Sequence, residues 1–240
     1  MALLLGAVPA QPAAAVLTDP PPAAAAASAA PAPRYVPSPP KRISCRAHPH
    51  RRLNLRCLLG RSVQGRPIVA TRQGPASAPR VLVVSGQMHG DEWPGPVVVN
   101  RVRALAVPAG LQVWTVRTMN PDGMAHRRRH NAHGVDLNRN FPAAWRARPY
   151  AGARPLSEPE ARAIRRLLSW LQPDLLVSFH GFSEAVDTTG GGRRAAAARA
   201  FSRLAHIGPA ARVPCGGPCA GNLTDWYTSA STVGGVAFTV

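Results

Sequence analysis

Two short runs in this chain are apolar almost throughout and stop at residues able to bind a metal. Arg80–Ser85 reads RVLVVS and continues into Gly86-Gln-Met-His-Gly-Asp-Glu92; residues 175–179 read LLVSF and run straight into His180. Strands of this kind lack the alternation of a half-exposed sheet, so both of their faces must be covered. Leu111–Val116 (LQVWTV) and residues 236–240 (VAFTV) have the same character. Helical patterns separate them. Residues 157–171 place Ala163, Ile164, Leu167, Leu168 and Leu171 at helical spacing, and Ser157 with Glu160 is expected to form a capping box at the start. Residues 193–206 form an Ala/Arg helix with Phe201 and Leu204 on one side. Strands broken by helices predict an α/β layered domain with a mostly parallel sheet.

In such a sheet, ligands gather beyond the carboxyl ends of the strands. Two neighbouring strands would therefore deliver His89, Glu92 and His180 to one crevice. Two histidines and a glutamate form a ligand set for catalytic zinc, which keeps three protein ligands and one open position. Gly90 beside His89 is expected to let the backbone crowd the metal. The other histidines (His48, His50, His126, His130, His133 and His206) sit in Arg-rich or helical contexts and read as surface residues.

Residues 120–141 read NPDGMAHRRRHNAHGVDLNRNF. The Asn120-Pro-Asp-Gly123 start is strong turn chemistry. Within the stretch, Arg129, Asn138 and Arg139 have the groups to grip a carboxylate and to face a developing oxyanion. A polar surface loop with a basic run is the plain alternative. No Gly-x-Ser-x-Gly elbow is present, which argues against a serine hydrolase.

The formal net charge is +18, from 29 basic and 11 acidic residues, with arginine supplying nearly all of the positive charge. Such a balance suits a polyanion partner, but the arginines are scattered and no nucleic-acid-binding motif accompanies them. A composition that favours Ala, Arg, Pro and Gly explains most of the charge; attraction to an anionic cell wall is a secondary expectation. The four cysteines, Cys45, Cys57, Cys215 and Cys219, allow three pairings. Proximity favours Cys45–Cys57 and Cys215–Cys219, and neither spacing suits a zinc knuckle. Disulfides fit an extracytoplasmic setting.

Residues 1–15 resemble a signal segment without a basic start, and no run is long enough to span a membrane. Residues 17–40 are almost all Ala and Pro, a spacer or disordered tail. The expected division is a tail over 1–40 and one catalytic domain over 41–240.

The chain resembles the zinc carboxypeptidase family, in particular its compact bacterial branch that includes murein peptide amidases. The matching pieces are Gly60-Arg-Ser-Val-Gln-Gly-Arg-Pro-Ile68, His89-Gly-Asp-Glu92, Asn120-Pro-Asp-Gly123, Gly134-Val-Asp-Leu-Asn-Arg-Asn-Phe141, Ser157-Glu-Pro-Glu160, Ser178-Phe-His180 and Gly221-Asn-Leu-Thr-Asp-Trp226. Together they cover residues 56–240. The resemblance implies a three-layer α/β/α sandwich around a mixed, mostly parallel eight-stranded sheet. It also implies one zinc ion held by His89, Glu92 and His180, with Arg129 polarising the scissile carbonyl and Asn138 and Arg139 gripping the substrate's terminal carboxylate. The implied substrates are peptides or peptidoglycan stem peptides, acted on outside the cytoplasm by a monomer, with no nucleic acid as partner.

Two departures stand against this. The family's general-base glutamate would fall just after Val240, where this sequence stops and the last strand is incomplete. The sequence therefore reads as a fragment or early-stop product, and otherwise as a binding-only relative. Such a base is worth about 10²–10⁴-fold in rate. Glu184, the nearest spare carboxylate, reads as an exposed loop residue. The mobile tyrosine of digestive members has no counterpart either: Cys215-Gly-Gly-Pro-Cys219 stands in its place, Tyr227 does not obviously replace it, and Thr224 is a candidate for the specificity pocket. A small-molecule deacylase and a non-catalytic, zinc-containing wall-binding protein are the competing functions.

Overall fold

The computed structural model describes residues 38–240 apart from 50–52, 182–184 and 211–218. The chain begins with three antiparallel strands, β1 (Ser44–Ala47), β2 (Leu55–Arg61) and β3 (Pro67–Gln73), followed by β4 (Arg80–Ser85). Then come α1 (Pro94–Ala104), β5 (Leu111–Val116), a short α2 (Pro121–His126) and α3 (Pro159–Leu171). The remainder comprises β6 (Leu175–Ser178), β7 (Ala185–Asp187), α4 (Gly192–Ala205), β8 (Gly208–Ala210), α5 (Leu223–Ala230) and β9 (Val236–Thr239).

Seven strands form the main sheet, in the order β1-β2-β3-β5-β4-β6-β9. The three pairings from β1 to β5 are antiparallel, and the three from β5 to β9 are parallel. The sheet is mixed, as expected. Among the described residues it has seven strands rather than eight, and parallel pairing is confined to one half. The parallel half is the one built from the all-apolar runs. β7 and β8 pair as a separate two-stranded sheet.

Helices cover both faces. On one side, Ile164, Leu167 and Leu168 of α3 and Trp226 and Tyr227 of α5 share a core with Val81, Val83, Trp114 and Leu176. On the other, Val99 of α1 packs with Val84 and Val113, and Ala198 of α4 packs with Val177 and Phe238. Successive residues of β4 thus serve opposite layers, which explains why that strand shows no polar alternation.

Two local expectations are corrected. α3 does not begin with a Ser157 capping box: its N-cap is Glu158, and no side chain caps the helix. Pro159 sets the first turn, and both would-be capping partners are engaged elsewhere. Ser157 Oγ donates to Glu158 Oε1 at 2.7 Å, and Glu160 accepts from the backbone of Val63 at 3.1 Å. In α4, Phe201 packs inward, whereas Leu204 is 84% exposed.

Cys45 and Cys57 are bonded across β1 and β2, where they face each other in register. Cys219 is also disulfide-bonded; Cys215 and Glu184 lie outside the described residues. No helix among the described residues is long and apolar enough to cross a membrane.

Candidate metal centre

β4 and β6 are hydrogen-bonded neighbours, with Ser85 in register with Ser178. Both strands end at the same level, so the segments that follow them emerge side by side. The first carries His89 and Glu92, closed into a turn by the Glu92 N–H donating to the His89 carbonyl at 3.1 Å. The second begins with His180, whose N–H donates to the Val240 carbonyl at 2.7 Å. Gly181 lies so close to Glu92 that a Cβ there would sit 2.8 Å from Glu92 Cγ.

The three side chains converge. His89 Nδ1 lies 2.7 Å from Glu92 Oε1 and 3.2 Å from His180 Nδ1, and His180 Nδ1 lies 3.1 Å from Glu92 Oε2. All three side chains are less than a tenth exposed. Glu92 Oε2 has no partner in hydrogen-bonding geometry despite that contact, and two ring nitrogens point at each other. The orphaned carboxylate oxygen is unfavourable in a closed protein interior and would be relieved by a cation among the three donors. Donors bound tetrahedrally to zinc at 2.0–2.1 Å stand about 3.3 Å apart, close to the spacings seen. The set therefore fits a divalent ion of the zinc type.

The electrostatics agree. Burial favours the neutral acid at Glu92, but His180 and His89 outweigh it and hold the carboxyl at about 2. Burial pushes His180 below the usual histidine range, with the neighbouring His89 adding to the effect. Both groups are thus in the protonation state that a metal requires of its ligands. Burial also opposes a charged His89, yet hydrogen bonds to Asp136 and Glu92 raise it.

Asp136 is the residue that sequence reasoning passed over. Its Oδ1 lies 3.0 Å from His89 Nε2, so that nitrogen donates and Nδ1 is left to coordinate. Its Oδ2 accepts from Arg129 Nε and Nη2 at 3.2 and 3.0 Å. Its Oδ1 also accepts the Asn138 N–H at 2.9 Å. Burial raises its carboxyl, but His89, Arg129 and Arg139 prevail and hold it well below the usual range. The only sequence signal was an aspartate inside an otherwise basic stretch, which carries no spacing rule of its own.

The clamp residues surround this carboxylate. Arg129 is 40% exposed and its Nη1 lies 3.5 Å from Glu92 Oε1. Its carbonyl accepts from Gly90 N and Asn120 Nδ2, at 3.3 and 3.2 Å. Asn138 Oδ1 accepts the Leu223 N–H at 3.1 Å, tying the stretch to the start of α5. Arg139 is largely buried, with Nη1 donating to the Asn138 carbonyl at 2.9 Å. Thr224 is buried beside Arg194, whose Nη2 lies 3.4 Å from its hydroxyl. Tyr227 is buried in the core, bonded to the Pro173 carbonyl, and is no mobile cap.

Gly90 is held by a close backbone contact. A Cβ there would come within 1.9 Å of the Gly123 backbone. The Asn120–Gly123 turn presses on the residue and by itself leaves no room for a side chain.

A zinc carboxypeptidase family profile matches residues 50–211. The chain belongs to the zinc carboxypeptidase family. Murein peptide amidase A of Escherichia coli K12 is 36% identical over 138 residues, covering 50% of this chain and 57% of that protein. The chain thus spans little more than half of that relative. The crystal structure of the murein-tripeptide amidase MpaA from Escherichia coli O157 superposes with a TM-score of 0.60 at 25% identity, covering 89% of this chain and 88% of that one. A carboxypeptidase A from Helicoverpa armigera shares the fold, with a TM-score of 0.65 at 19% identity over 78% of this chain and 58% of that one.

Proposed function

We propose that this chain is the catalytic part of a zinc-dependent, extracytoplasmic carboxypeptidase or amidase. In this reading it hydrolyses a peptide or amide bond next to a free carboxylate, in peptides or in cell-wall stem peptides. The observation that carries the reading is the convergence of His89, Glu92 and His180 beside the partly exposed Arg129. The Cys45–Cys57 disulfide supports the location. Similarity to murein peptide amidases supports the stem-peptide arm.

His89, Glu92 and His180 would hold the ion. Zinc in such an open site supplies Lewis acidity and lowers the pKa of water toward neutrality. The chain's own residues do the rest. Arg129, fixed at Nε and Nη2 by Asp136 and partly open to solvent, presents its remaining N–H groups to the oxygen on which negative charge develops. Asn138 engages its side-chain carbonyl with the Leu223 N–H, so its amide is the group that would donate to substrate. With Arg139 it would seat the substrate's carboxylate. The resemblance assigns the general base to the position after Val240. β9 runs parallel to β6, and the Val240 carbonyl accepts the His180 N–H, so the end of β9 adjoins the metal ligand His180.

The test uses the full-length protein encoded by the gene. Release of a C-terminal amino acid from peptides is compared with cleavage of the γ-D-Glu–diaminopimelate bond, with zinc and with a chelator. Hydrolysis of one that the chelator abolishes is expected. Hydrolysis of neither, or indifference to the chelator, defeats the reading. Arg139→Ala should raise KM for substrates with a free carboxylate, with a smaller effect on kcat; an unchanged KM removes it from the clamp.

A further inference from the structure

The carboxylate clamp is placed by a segment far from it in sequence. Asn138 Oδ1 holds the Leu223 N–H at 3.1 Å, and a Cβ on Gly221 would come within 2.5 Å of the Arg139 carbonyl oxygen. The Phe141 N–H donates to the Gly221 carbonyl at 2.8 Å, and the Gly221 N–H to that of Ala143 at 2.7 Å. Residues 138–143 are therefore laid against residues 221–223, and the clamp is only as well placed as the start of α5. Side chains fix that start. Asn222 caps the helix: its Oδ1 accepts the Asp225 N–H at 2.7 Å, and its Nδ2 donates to Asp225 Oδ2 at 2.6 Å. The other carboxylate oxygen of Asp225 accepts from Arg194 Nη1.

Arg194 belongs to the opposite layer. It is the third residue of α4. In β9, the last strand of the described sheet, Phe238 packs with the α4 cluster and Ala237 with the α5 cluster. The arginine thus joins the two layers beside that strand. Its Nη2 also reaches Asp187 Oδ2 at 3.3 Å and Thr224 Oγ1 at 3.4 Å. Its side chain is 7% exposed, against 13% for Asp187 and 40% for Asp225. A guanidinium so buried is unfavourable unless carboxylates answer it, and a cation beside a helix start works against the helix dipole. Asp225 and Asp187 offset both. The planar fork suits the task, since its two Nη groups meet separate partners at a fixed angle. It therefore sets where the first turn of α5 stands relative to α4, rather than merely attracting it.

The geometry points to Arg194 as a positioning residue for substrate binding. It acts through Asp225 and Asn222 on the Leu223 N–H, and through that bond on Asn138. Its contact with Thr224 steadies the neighbouring side chain as well. This relay supplies no chemistry; it supplies the angle at which the Asn138 amide meets a carboxylate. The inference rests on the reading of Asn138 and Arg139 as the carboxylate clamp.

Two measurements on the zinc-loaded, full-length protein test it. The first needs no activity. Amide hydrogen exchange at Leu223 should quicken about tenfold in Arg194→Met, because a loosened helix start releases its bond to Asn138. Exchange at Val240, bonded to the Ser178 carbonyl on β6, should stay within about twofold. Unchanged exchange at Leu223 overturns the relay, and equal acceleration at both amides overturns it too, since the loss is then global. The second measurement is kinetic, on the free-carboxylate substrate that the enzyme hydrolyses. Arg194→Met should raise KM about tenfold with kcat within about threefold, and should leave zinc affinity within about twofold, since it orients no metal ligand. Added to Asn138→Ala, which already removes the end of the relay, it should change KM little; additive effects would show that Arg194 acts by another route and overturn the proposal. Arg194→Lys keeps the charge but not the fork and should recover only part of the loss. Should Arg194→Met fail to fold, Asp225→Asn cuts the same link from its exposed end and carries the same expectations. An Arg139→Ala variant with unchanged KM is a failure of the clamp reading instead, and is recognisable because it leaves the exchange result as it is.

Discussion

Asp136 shows how little of a site its ligands reveal. The three donors were legible because each stands just past the end of an apolar strand. The carboxylate that orients one of them was not, since its role depends on the chain folding back over 47 residues to meet His89. Its geometry gives a direct prediction. Asp136→Asn keeps the shape but removes the charge that fixes the His89 tautomer, so zinc affinity should fall about 10–100-fold. Competition with a chromophoric chelator reads this without any activity assay, and an affinity unchanged within twofold would refute the role. Zinc uptake should also fail in acid. Glu92 must be ionised, and a proton competes for it only as the pH approaches about 2; His89, raised above the usual histidine range by Asp136 and Glu92, takes up its proton earlier. Metal release on acidification should therefore follow histidine protonation rather than carboxylate protonation, as isothermal titration at stepped pH would show.

At the scale of elements, the four all-apolar strands were readable, whereas β1, β2, β3, β7 and β8 were not, and helix starts were read poorly. The all-apolar runs became the parallel strands, because a strand covered on both sides carries its own signature. The Ser157 capping box misled because tertiary partners outcompeted the local ones: Glu160 serves Val63 and Asn131 instead. Asp122, within the Asn-Pro-Asp-Gly turn, has a similar long reach. It accepts from Ser62 Oγ, Gln64 N and Arg66 Nη1 at 2.8–2.9 Å and so pins the β2–β3 hairpin to α2. Burial raises its carboxyl, but these donors outweigh it and bring it below the usual 3.8. A depressed folded value means the contribution is complete above the unfolded value and fades as pH falls through the folded one. Asp122→Ala should cost about 1–3 kcal/mol at neutral pH and progressively less below pH 4, measurable by urea unfolding. Gly90→Ala should be worse than its size suggests, because the added methyl collides with the backbone of Gly123, not with a side chain that can swing away. Loss of zinc binding together with a lowered Tm is expected; a normal Tm would show that the turn can yield.

Across the whole molecule, the sheet divides its duties. The antiparallel half carries the Cys45–Cys57 disulfide and no metal ligand, and the parallel half carries both ligand strands. Closing a loop of this length in the unfolded chain stabilises by about 2–4 kcal/mol. Replacing Cys45 and Cys57 together by Ala should therefore lower Tm by about 5–15 °C while leaving zinc affinity intact. A matching fall in affinity would mean that the two halves are mechanically coupled. Sequence gave the layered class; the division of labour within the sheet needed the pairing register, which no run of residues spells out.

His89 and His180 are 91 positions apart along the chain and meet only because β4 and β6 align side by side. Parallel pairing between distant segments is among the later events available to a folding chain. An ion that needs both imidazoles cannot be captured by a half-formed intermediate, so occupancy certifies completed assembly. By mass action it then holds the assembled state against reopening.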